Sequence, residues 1–441
     1  MRFLKAAACL GAAAFLLAGC GGNGKKNKDP ELSGERISVM ALEQQLVVDP
    51  TVADIQVRLP QPVDNPSWPQ AGGYPTHAMY HLALGENLKT LWHRHVVDGT
   101  SGNRRLMAEP VVAQGKVFIL GSNVEVVAVD AETGREVWHH ELPDMKESRD
   151  SGFGGGVAYD NGRVFVTTGF GYLAALDAAT GKEVWQANVG VPLRGAPSIG
   201  DGQVYAITHD NQMYVYKEDT GEYLWYNVGI AEDGAVLGAA SPAISGANVV
   251  TAYSSGDLYA MRSENGRSTW TDSLTRTGRL TPLSSINDID GNPVIDRDRV
   301  FAVSHGDRMV SIDMLSGNRV WERPIASLST PWIAGDFIYL ITLDGDLVSL
   351  YRPDGGVRWI RPLQKYGDPS SGKRLIYWSG PVLAGNRLIV VSSHGYVVSI
   401  SPFTGEIIDA AKAGSAFFVP PVVANRTLYL LDNSGELYAL R

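Results

Sequence analysis

Cysteine is the scarcest residue in this sequence of 441 residues, which contains only Cys9 and Cys20. Residues 21–441 therefore cannot form a disulfide, bind a metal through thiolates or supply a cysteine nucleophile. Other catalytic patterns are also missing, because the sequence has no Gly-x-Ser-x-Gly nucleophile elbow in a suitable context and no phosphate-binding loop. The glycine run at 152–156 precedes a predicted strand rather than a helix, so the start of a repeat unit explains it better.

The first twenty residues have the pattern of an export signal. Arg2 and Lys5 precede an apolar run at 10–17 that is too short to remain in a membrane as an anchor. The tetrapeptide LAGC at 17–20 resembles the bacterial lipobox, which implies cleavage before Cys20 and acylation of that cysteine. The alternative is an ordinary small-residue cleavage site with a chance cysteine. By the same resemblance, Gly21 in place of an aspartate implies the outer membrane, with the folded body in the periplasm.

The charge balance is acidic. Removing residues 1–19, and with them Arg2 and Lys5, takes the formal net charge from −9 to −11. An acidic body argues against nucleic acid or anionic lipid headgroups as the main partner. Residues 20–66 begin with the cysteine and continue as a polar, proline-containing stretch, which predicts a flexible tether. The predicted organisation is therefore a signal peptide at 1–19, a lipidated tether at 20–66 and a folded domain at 67–441.

The folded domain is a series of repeats. Alignment on a Thr-Gly-x-x-x-Trp turn gives tryptophan positions with spacings of 46, 47, 40, 45, 51, 38 and 50 residues, and Asp409 occupies the eighth tryptophan position. A period near 45 residues is typical of propeller blades. The structural tryptophans of the repeat are Trp92, Trp138, Trp185, Trp225, Trp270, Trp321 and Trp359.

Each repeat unit predicts four short antiparallel strands with turn residues at every join. The last segment ends after a third strand at 436–440, and the strand that it lacks is found at 88–92. We therefore expect the first and last segments to share a blade, which removes the exposed edges of an open array. The prediction is an all-β, eight-bladed β-propeller whose ring is closed by an amino-terminal strand. In such a blade the glycine takes a strained turn conformation and the tryptophan covers the junction between blades.

The repeat A-x-D-x-x-T-G-x-x-x-W, seen at 128–138 and 175–185, resembles that of the pyrroloquinoline quinone dehydrogenases. The resemblance implies shared architecture, and shared chemistry only with a cofactor site. Many of those enzymes hold the quinone against a disulfide between adjacent cysteines and place calcium and a catalytic aspartate in a central funnel. Residues 21–441 contain no cysteine and no stretch that reproduces the calcium and base cluster. We predict no cofactor and no metal.

The combination of lipobox, tether and eight such repeats resembles the BamB family, lipoproteins of the β-barrel assembly machinery, over residues 67–441. Two stretches, VLGAASP at 236–242 and DIDGNPV at 288–294, match the family's loops, which implies a contact with the membrane barrel subunit BamA. The implied partner-binding residues are Val236, Leu237, Asp288 and Asp290. The family often has an arginine where this sequence has Leu237, so the contact surface is expected to be more apolar there.

Simpler explanations compete at each candidate residue. Asp288 and Asp290 could belong to a solvated loop, or to a calcium loop, although the distant glutamate of such a loop is lacking. His139 and His140 are adjacent in a strand and point to opposite faces, so they do not chelate a metal together. His93 and His95 share a face without a third ligand nearby in the sequence. Turn positions account for His209, His305 and His394.

The main functional hypothesis is a non-catalytic scaffold that binds a BamA-like subunit and assists unfolded outer-membrane proteins. One rival is a membrane-attached quinoprotein dehydrogenase or a degenerate relative of one. A third class, a ligand-binding or adhesive propeller, predicts a deep pocket in the funnel. Exposed blade edges in the scaffold could pair with extended chains.

Overall fold

The structure is a computed structural model that describes residues 46–142, 154–231, 240–275 and 288–441. These residues form strands joined by turns and loops, without any helix. The strands assemble into eight four-stranded antiparallel sheets and one two-stranded hairpin. The predicted all-β, eight-bladed propeller is confirmed for the part of the chain that the structure describes.

The strands follow the repeat closely. In chain order they are β1 (Thr90–His95), β2 (Val111–Ala113), β3 (Lys116–Leu120), β4 (Glu125–Asp130), β5 (Glu136–Glu141), β6 (Gly155–Asp160), β7 (Arg163–Thr168), β8 (Tyr172–Asp177), β9 (Glu183–Asn188), β10 (Ser198–Gly200), β11 (Gln203–Ile207), β12 (Gln212–Lys217), β13 (Tyr223–Val228), β14 (Ala243–Ser245), β15 (Asn248–Ala252), β16 (Asp257–Arg262), β17 (Ser268–Ser273), β18 (Val294–Asp296), β19 (Arg299–Ser304), β20 (Arg308–Asp313), β21 (Arg319–Arg323), β22 (Trp332–Ala334), β23 (Phe337–Ile341), β24 (Asp346–Tyr351), β25 (Val357–Pro362), β26 (Tyr366–Asp368), β27 (Lys373–Leu375), β28 (Trp378–Ala384), β29 (Arg387–Ser392), β30 (Tyr396–Ile400), β31 (Ile407–Lys412), β32 (Val422–Ala424), β33 (Thr427–Leu431) and β34 (Glu436–Leu440).

We number the blades in chain order. Blades 1 to 6 are β2–β5, β6–β9, β10–β13, β14–β17, β18–β21 and β22–β25, and blade 7 is β28–β31. Blade 8 consists of β32, β33, β34 and β1, so the predicted closing strand is confirmed. That strand pairs antiparallel with β34, with His93 opposite Tyr438. It runs from residue 90 to residue 95, which is slightly later than the predicted 88–92.

The repeat tryptophans join each blade to the next. Each indole N–H donates a hydrogen bond of 2.9–3.3 Å to a backbone carbonyl in the last turn of the following blade. The ring also covers the glycine of that turn. At Gly181, with φ of +72°, an added Cβ would lie 2.6 Å from Cε3 of Trp138. The donor and acceptor pairs are Trp92 and Ala131, Trp138 and Ala178, Trp185 and Glu218, Trp225 and Ser263, Trp270 and Met314, Trp321 and Arg352, and Trp359 and Pro402.

The amino-terminal limit of the folded body differs from the predicted residue 67. Contacts with the blades begin near residue 46, because the Asp49 amide donates to the Val357 carbonyl at 2.7 Å and the Arg358 Nε to the Ile55 carbonyl at 2.8 Å. These bonds attach the stretch from Asp49 to Ile55 to blade 6. Composition predicted a tether here because the stretch is polar, and composition does not report backbone hydrogen bonds. The rest of the predicted tether and the predicted signal, including Cys20, lie outside the described residues.

Candidate partner-binding site

The loops that enter blades 4 and 5 contain the predicted partner-binding residues. Val236 and Leu237 lie outside the described residues, whereas Asp288 and Asp290 are described. Ile289, between the two aspartates, is 1% exposed and packs in the apolar cluster between blades 4 and 5. The Asp288 carbonyl accepts a 2.8 Å hydrogen bond from the His305 amide of blade 5. The acidic stretch is therefore fixed to the ring by a buried side chain and a backbone bond.

The two predicted stretches meet in the structure. The Asn292 side-chain oxygen accepts a 2.7 Å hydrogen bond from the amide of Ser241, and both residues are buried. The Ser241 hydroxyl donates to the Ala196 carbonyl at the start of blade 3, at 3.0 Å. The Asn292 amide donates to the Thr330 hydroxyl at the start of blade 6. These bonds connect the entrances of blades 3, 4, 5 and 6, so the described residues 240–242 of the first stretch pack against the stretch at 288–294.

Burial changes the expected role of the aspartates. Asp288 is only 2% exposed. Burial, together with the nearby charge of Asp288, holds the pKa of Asp290 well above its usual range, and Arg194 opposes this shift. The Oδ1 of Asp290 is buried without a hydrogen-bond partner in the described part of the chain. This arrangement is not a solvated loop tip, because solvation would leave both carboxylates exposed and ionised.

A small pocket adjoins the acidic stretch. Arg194, His209 and Asn211 from blade 3 line it together with Asp288 and Ile289. Sequence reasoning assigned His209 to a turn and did not consider Arg194. The signal that could have found Arg194 is its position at the entrance of a blade, the same position that the acidic stretch occupies two blades later.

The two histidine pairs that the sequence drew attention to lie next to glutamate side chains. The Nδ1 of His139 lies 2.8 Å from Glu136, and that hydrogen bond raises the pKa of His139. His93 and His95 both face the carboxylate of Glu436, at 3.1 and 3.7 Å, a neighbour that only strand pairing brings close. The described residues contain no group of three or more His, Cys, Asp or Glu side chains suited to hold a metal ion.

One segment of the chain, residues 63–85, runs around the inside of the ring, and we name it the inner segment. It hydrogen-bonds the innermost strand of every blade in ring order, mostly through backbone groups. The contacts are Asn65 with Val423 of blade 8, Trp68 with Val112 of blade 1, Pro69 with Tyr159 of blade 2, Gln70 with Ile199 of blade 3, Pro75 with Ile244 of blade 4, Thr76 with Ile295 of blade 5, Tyr80 with Trp332 of blade 6 and Leu82 with Leu383 of blade 7. The inner segment therefore lies against the innermost strand of all eight described blades.

Buried polar groups secure the inner segment. The carboxylate of Glu109 accepts a 3.0 Å hydrogen bond from the Gly72 amide, and burial raises the pKa of Glu109 to about 7. The His77 ring bonds the Pro293 carbonyl at 2.7 Å, and its complete burial lowers its pKa to about 4. His77 is therefore neutral at physiological pH. Pro293 adjoins the acidic stretch at 288–290, so the inner segment supports the candidate site from inside.

Comparison with known proteins agrees with this architecture. The solved BamB from Moraxella catarrhalis superimposes with a TM-score of 0.68 at 20% identity, covering 80% of this chain and 100% of that one. A quinohemoprotein alcohol dehydrogenase from Comamonas testosteroni gives 0.64 at 16% identity, covering 85% of this chain and 80% of that one. At these identities the similarity concerns the fold. The chain is thus an eight-bladed propeller of the quinoprotein-like class.

The sequence comparisons narrow the class to a family. The family model described as outer membrane protein assembly factor BamB matches residues 122–361 and 344–441. The chain belongs to this family. A BamB from Burkholderia pseudomallei is 27% identical over 346 residues, which cover 76% of this chain and 84% of that protein. A BamB from Moranella endobia is 23% identical over 336 residues, covering 75% and 84%.

The quinone of the related dehydrogenases does not fit the inner face of this ring. The innermost strands of all eight described blades already bond the inner segment, and Trp68 and His77 of that segment are buried in the channel. A planar cofactor at this level would have to displace them. The described residues also include no helix that is long and apolar enough to cross a membrane.

Proposed function

We propose that this protein is a non-catalytic scaffold lipoprotein of the outer-membrane β-barrel assembly complex. It binds the BamA-like barrel subunit and assists the folding and insertion of outer-membrane proteins. In this proposal the lipid on Cys20 holds it on the periplasmic face of the outer membrane. The single observation that supports the binding site best is the 2.7 Å bond from Ser241 to Asn292, because it connects the two family-like stretches.

A rigid ring explains how such a surface could act. Ser241 and Asn292 are connected to the entrances of blades 3 and 6 by hydrogen bonds, so a partner would meet a framework at residues 240–242 and 288–294 that is already fixed to the ring. The apolar side chains of Val236 and Leu237 would supply the central contacts. Asp288 is buried, so we expect its charge to contribute less to the contact than the sequence suggested. This assigns binding to the apolar part of the surface.

Co-purification from detergent-solubilised envelope tests the proposal. The double variant Val236→Asp with Leu237→Asp is compared with the wild type and with Leu328→Asp, a matched control in the loop that enters blade 6, where Leu328 is 36% exposed. We expect the double variant to recover at least about tenfold less BamA, because a charge in an apolar contact costs more than about 1.4 kcal/mol, and the control to recover as much as the wild type.

Two results would contradict different parts of this proposal. Equal recovery of BamA with all three proteins would show that the site is assigned wrongly. Failure of BamA to co-purify with the wild type would remove the function itself. Circular dichroism and thermal unfolding of each variant check that the propeller is intact. Charge reversal at Asp288 is a poor test, because that side chain is buried and its replacement would disturb the loop.

A further inference from the structure

The outermost strand of blade 3, β13, differs from the outermost strands of the other blades. Its sequence is YLWYNV, and it is the only one of the eight outermost strands in the described residues without a charged side chain. Four of its side chains are exposed and large: Tyr223, Leu224, Tyr226 and Val228. Charged side chains on edge strands prevent pairing with other chains. The edge of blade 3 lacks this protection.

The backbone of β13 is available for pairing. Its one hydrogen-bonded neighbour is β12, and its outer edge has no partner strand among the described residues. The pairing with β12 is regular from Trp225 to Val228, after a bulge next to the turn. A regular edge of four residues offers alternating N–H and C=O groups to an added strand.

Four tyrosines form a ladder on one face of blade 3. Tyr214 and Tyr226 lie opposite each other and stack, with ring centroids 6.1 Å apart, and Tyr216 and Tyr223 meet edge to face at 6.0 Å. The ladder adjoins the apolar cluster that blades 2 and 3 share. Trp185 of blade 2 is only partly buried in this cluster, whereas the other repeat tryptophans of the described blades are buried. Uncharged aromatic rings therefore extend from the core to the surface beside the free edge.

We propose that β13 is a docking edge for an extended, uncharged strand whose aromatic or aliphatic side chains alternate with small polar ones. The backbone of such a strand would pair with β13, and its apolar side chains, spaced two residues apart, would pack on the tyrosine ladder. Membrane-spanning strands of β-barrels have this pattern. The identification of the occupant as an unfolded barrel strand rests on the proposed function.

The composition of the edge fits that occupant. An uncharged strand with exposed Tyr223, Leu224, Tyr226 and Val228 matches the alternating apolar side chains of a barrel strand. The other outermost strands carry at least one charge each, for example Glu183 in β9 and Arg361 in β25, which restricts docking to blade 3.

Binding of a labelled synthetic peptide to the full-length protein in detergent tests this assignment. The peptide has ten residues in which Tyr or Val alternates with Thr or Ser, and a second peptide has the same pattern with N-methylated backbone amides on one edge. We compare the wild type with Tyr226→Lys plus Val228→Lys. The matched control is Gln186→Lys plus Asn188→Lys, at the same offsets from Trp185 in β9. Fluorescence anisotropy reports affinity, and hydrogen exchange reports protection of residues 223–228.

We expect saturable binding that weakens at least about tenfold in the blade 3 variant and in the N-methylated peptide, and that is unchanged in the blade 2 control. Protection of the β13 amides should accompany binding. Equal binding by both variants, or no saturable binding by the wild type, would overturn the assignment. A wild-type dimer that the blade 3 variant dissolves, with no peptide binding, would also overturn it in favour of a second copy of this chain.

The outcome of the peptide-binding experiment can be distinguished from the outcome of the co-purification experiment that tests the proposed function. If the peptide binds β13 while BamA never co-purifies, the proposed function fails and the docking edge remains. If BamA co-purifies but the peptide does not bind, the docking edge alone fails. Circular dichroism and thermal unfolding of the blade 3 and blade 2 variants exclude misfolding as the cause of lost binding.

Discussion

Seven of the eight blade junctions in the described ring are built alike, and the eighth is not. At the seven, a tryptophan on the outermost strand covers the Gly turn of the next blade and bonds its backbone. At the junction from blade 7 to blade 8 the equivalent residue is Asp409, and every residue of β31 is exposed. The two kinds of junction differ in the residue on the outermost strand and in the turn of the next blade that this residue faces. The difference indicates that the tryptophan serves to cover a glycine turn.

The target is missing at the eighth junction because blade 8 is made from both ends of the chain. Where the other blades have a turn that contains glycine, blade 8 has Lys89 and Arg441, whose backbones exchange two hydrogen bonds of 2.9 Å. No glycine is available there for an indole to cover. Arg387 of blade 7 instead donates to the Gly85 carbonyl at 2.7 Å, in the stretch that leads to β1. Burial lowers the pKa of Arg387, and the nearby charges of Glu86 and Asp409 oppose this shift. A polar contact thus replaces an aromatic one.

The largest expected effect breaks one of the seven junctions. Trp138→Ala should lower the free energy of unfolding by about 3–5 kcal/mol, because it empties a buried space between blades 1 and 2 and leaves the Ala178 carbonyl without its donor. Asp409→Ala, at the eighth junction, should lower it by about 0.5 kcal/mol or less. Urea unfolding followed by tryptophan fluorescence measures both. Equal losses in the two variants would mean that the junctions are not different in kind.

A smaller effect is expected at the eighth junction itself. Arg387→Met removes donors to the Gly85 and Gly385 carbonyls from an 8% exposed side chain, which should cost about 2 kcal/mol. Arg426→Met is the matched control, because Arg426 is exposed and solvent screens its ion pair with Asp64. If the control proves as destabilising as Arg387→Met in urea unfolding, the polar closure is not what holds blade 8.

The smallest expected effect distinguishes two roles of the turn glycine, its backbone conformation and its contact with the indole ring. Gly181→Ala and Gly162→Ala both place alanine at a positive φ, of +72° and +81°, but the new methyl group meets Trp138 only in the first variant. Gly181→Ala should therefore be the more destabilising by about 1 kcal/mol. Thermal unfolding of the two variants gives the difference. Identical melting temperatures would assign the glycine to backbone conformation alone.

The fold was predictable because each blade is encoded locally. The Asp, Thr and Gly of the turn, the alternation of the strands and the tryptophan all lie within about 45 residues, so one sequence period describes one blade. Ring closure was also predictable, since the missing fourth strand at one end matches the extra strand at the other. The path of the inner segment was not predictable. Residues 63–85 show neither the alternation of a strand nor the period of the blades, and they are held by bonds to eight separate strands.

The candidate site was predictable only in part. Ser241 and Asn292 are 51 residues apart in the sequence, and their hydrogen bond is not visible in any local pattern. Partner contact by Asp288 and Asp290 was implied by the family resemblance, with a solvated loop as an alternative, and Asp288 is buried because Ile289 beside it anchors the loop in the core. The tyrosine ladder of blade 3 escaped attention since its rings meet only after β12 pairs with β13.

The sequence alone determined the blades, their number and the residues that join them, because those choices depend on contacts within one repeat and with the next. The tertiary structure decided how the ring is closed at the eighth junction, which residues lie against its innermost strands and which acidic side chains are withdrawn from solvent. These features depend on hydrogen bonds such as Leu82 to Leu383 and Asn65 to Val423, between residues about 300 or more positions apart. No local pattern records such pairs, since closing the ring is what brings them together.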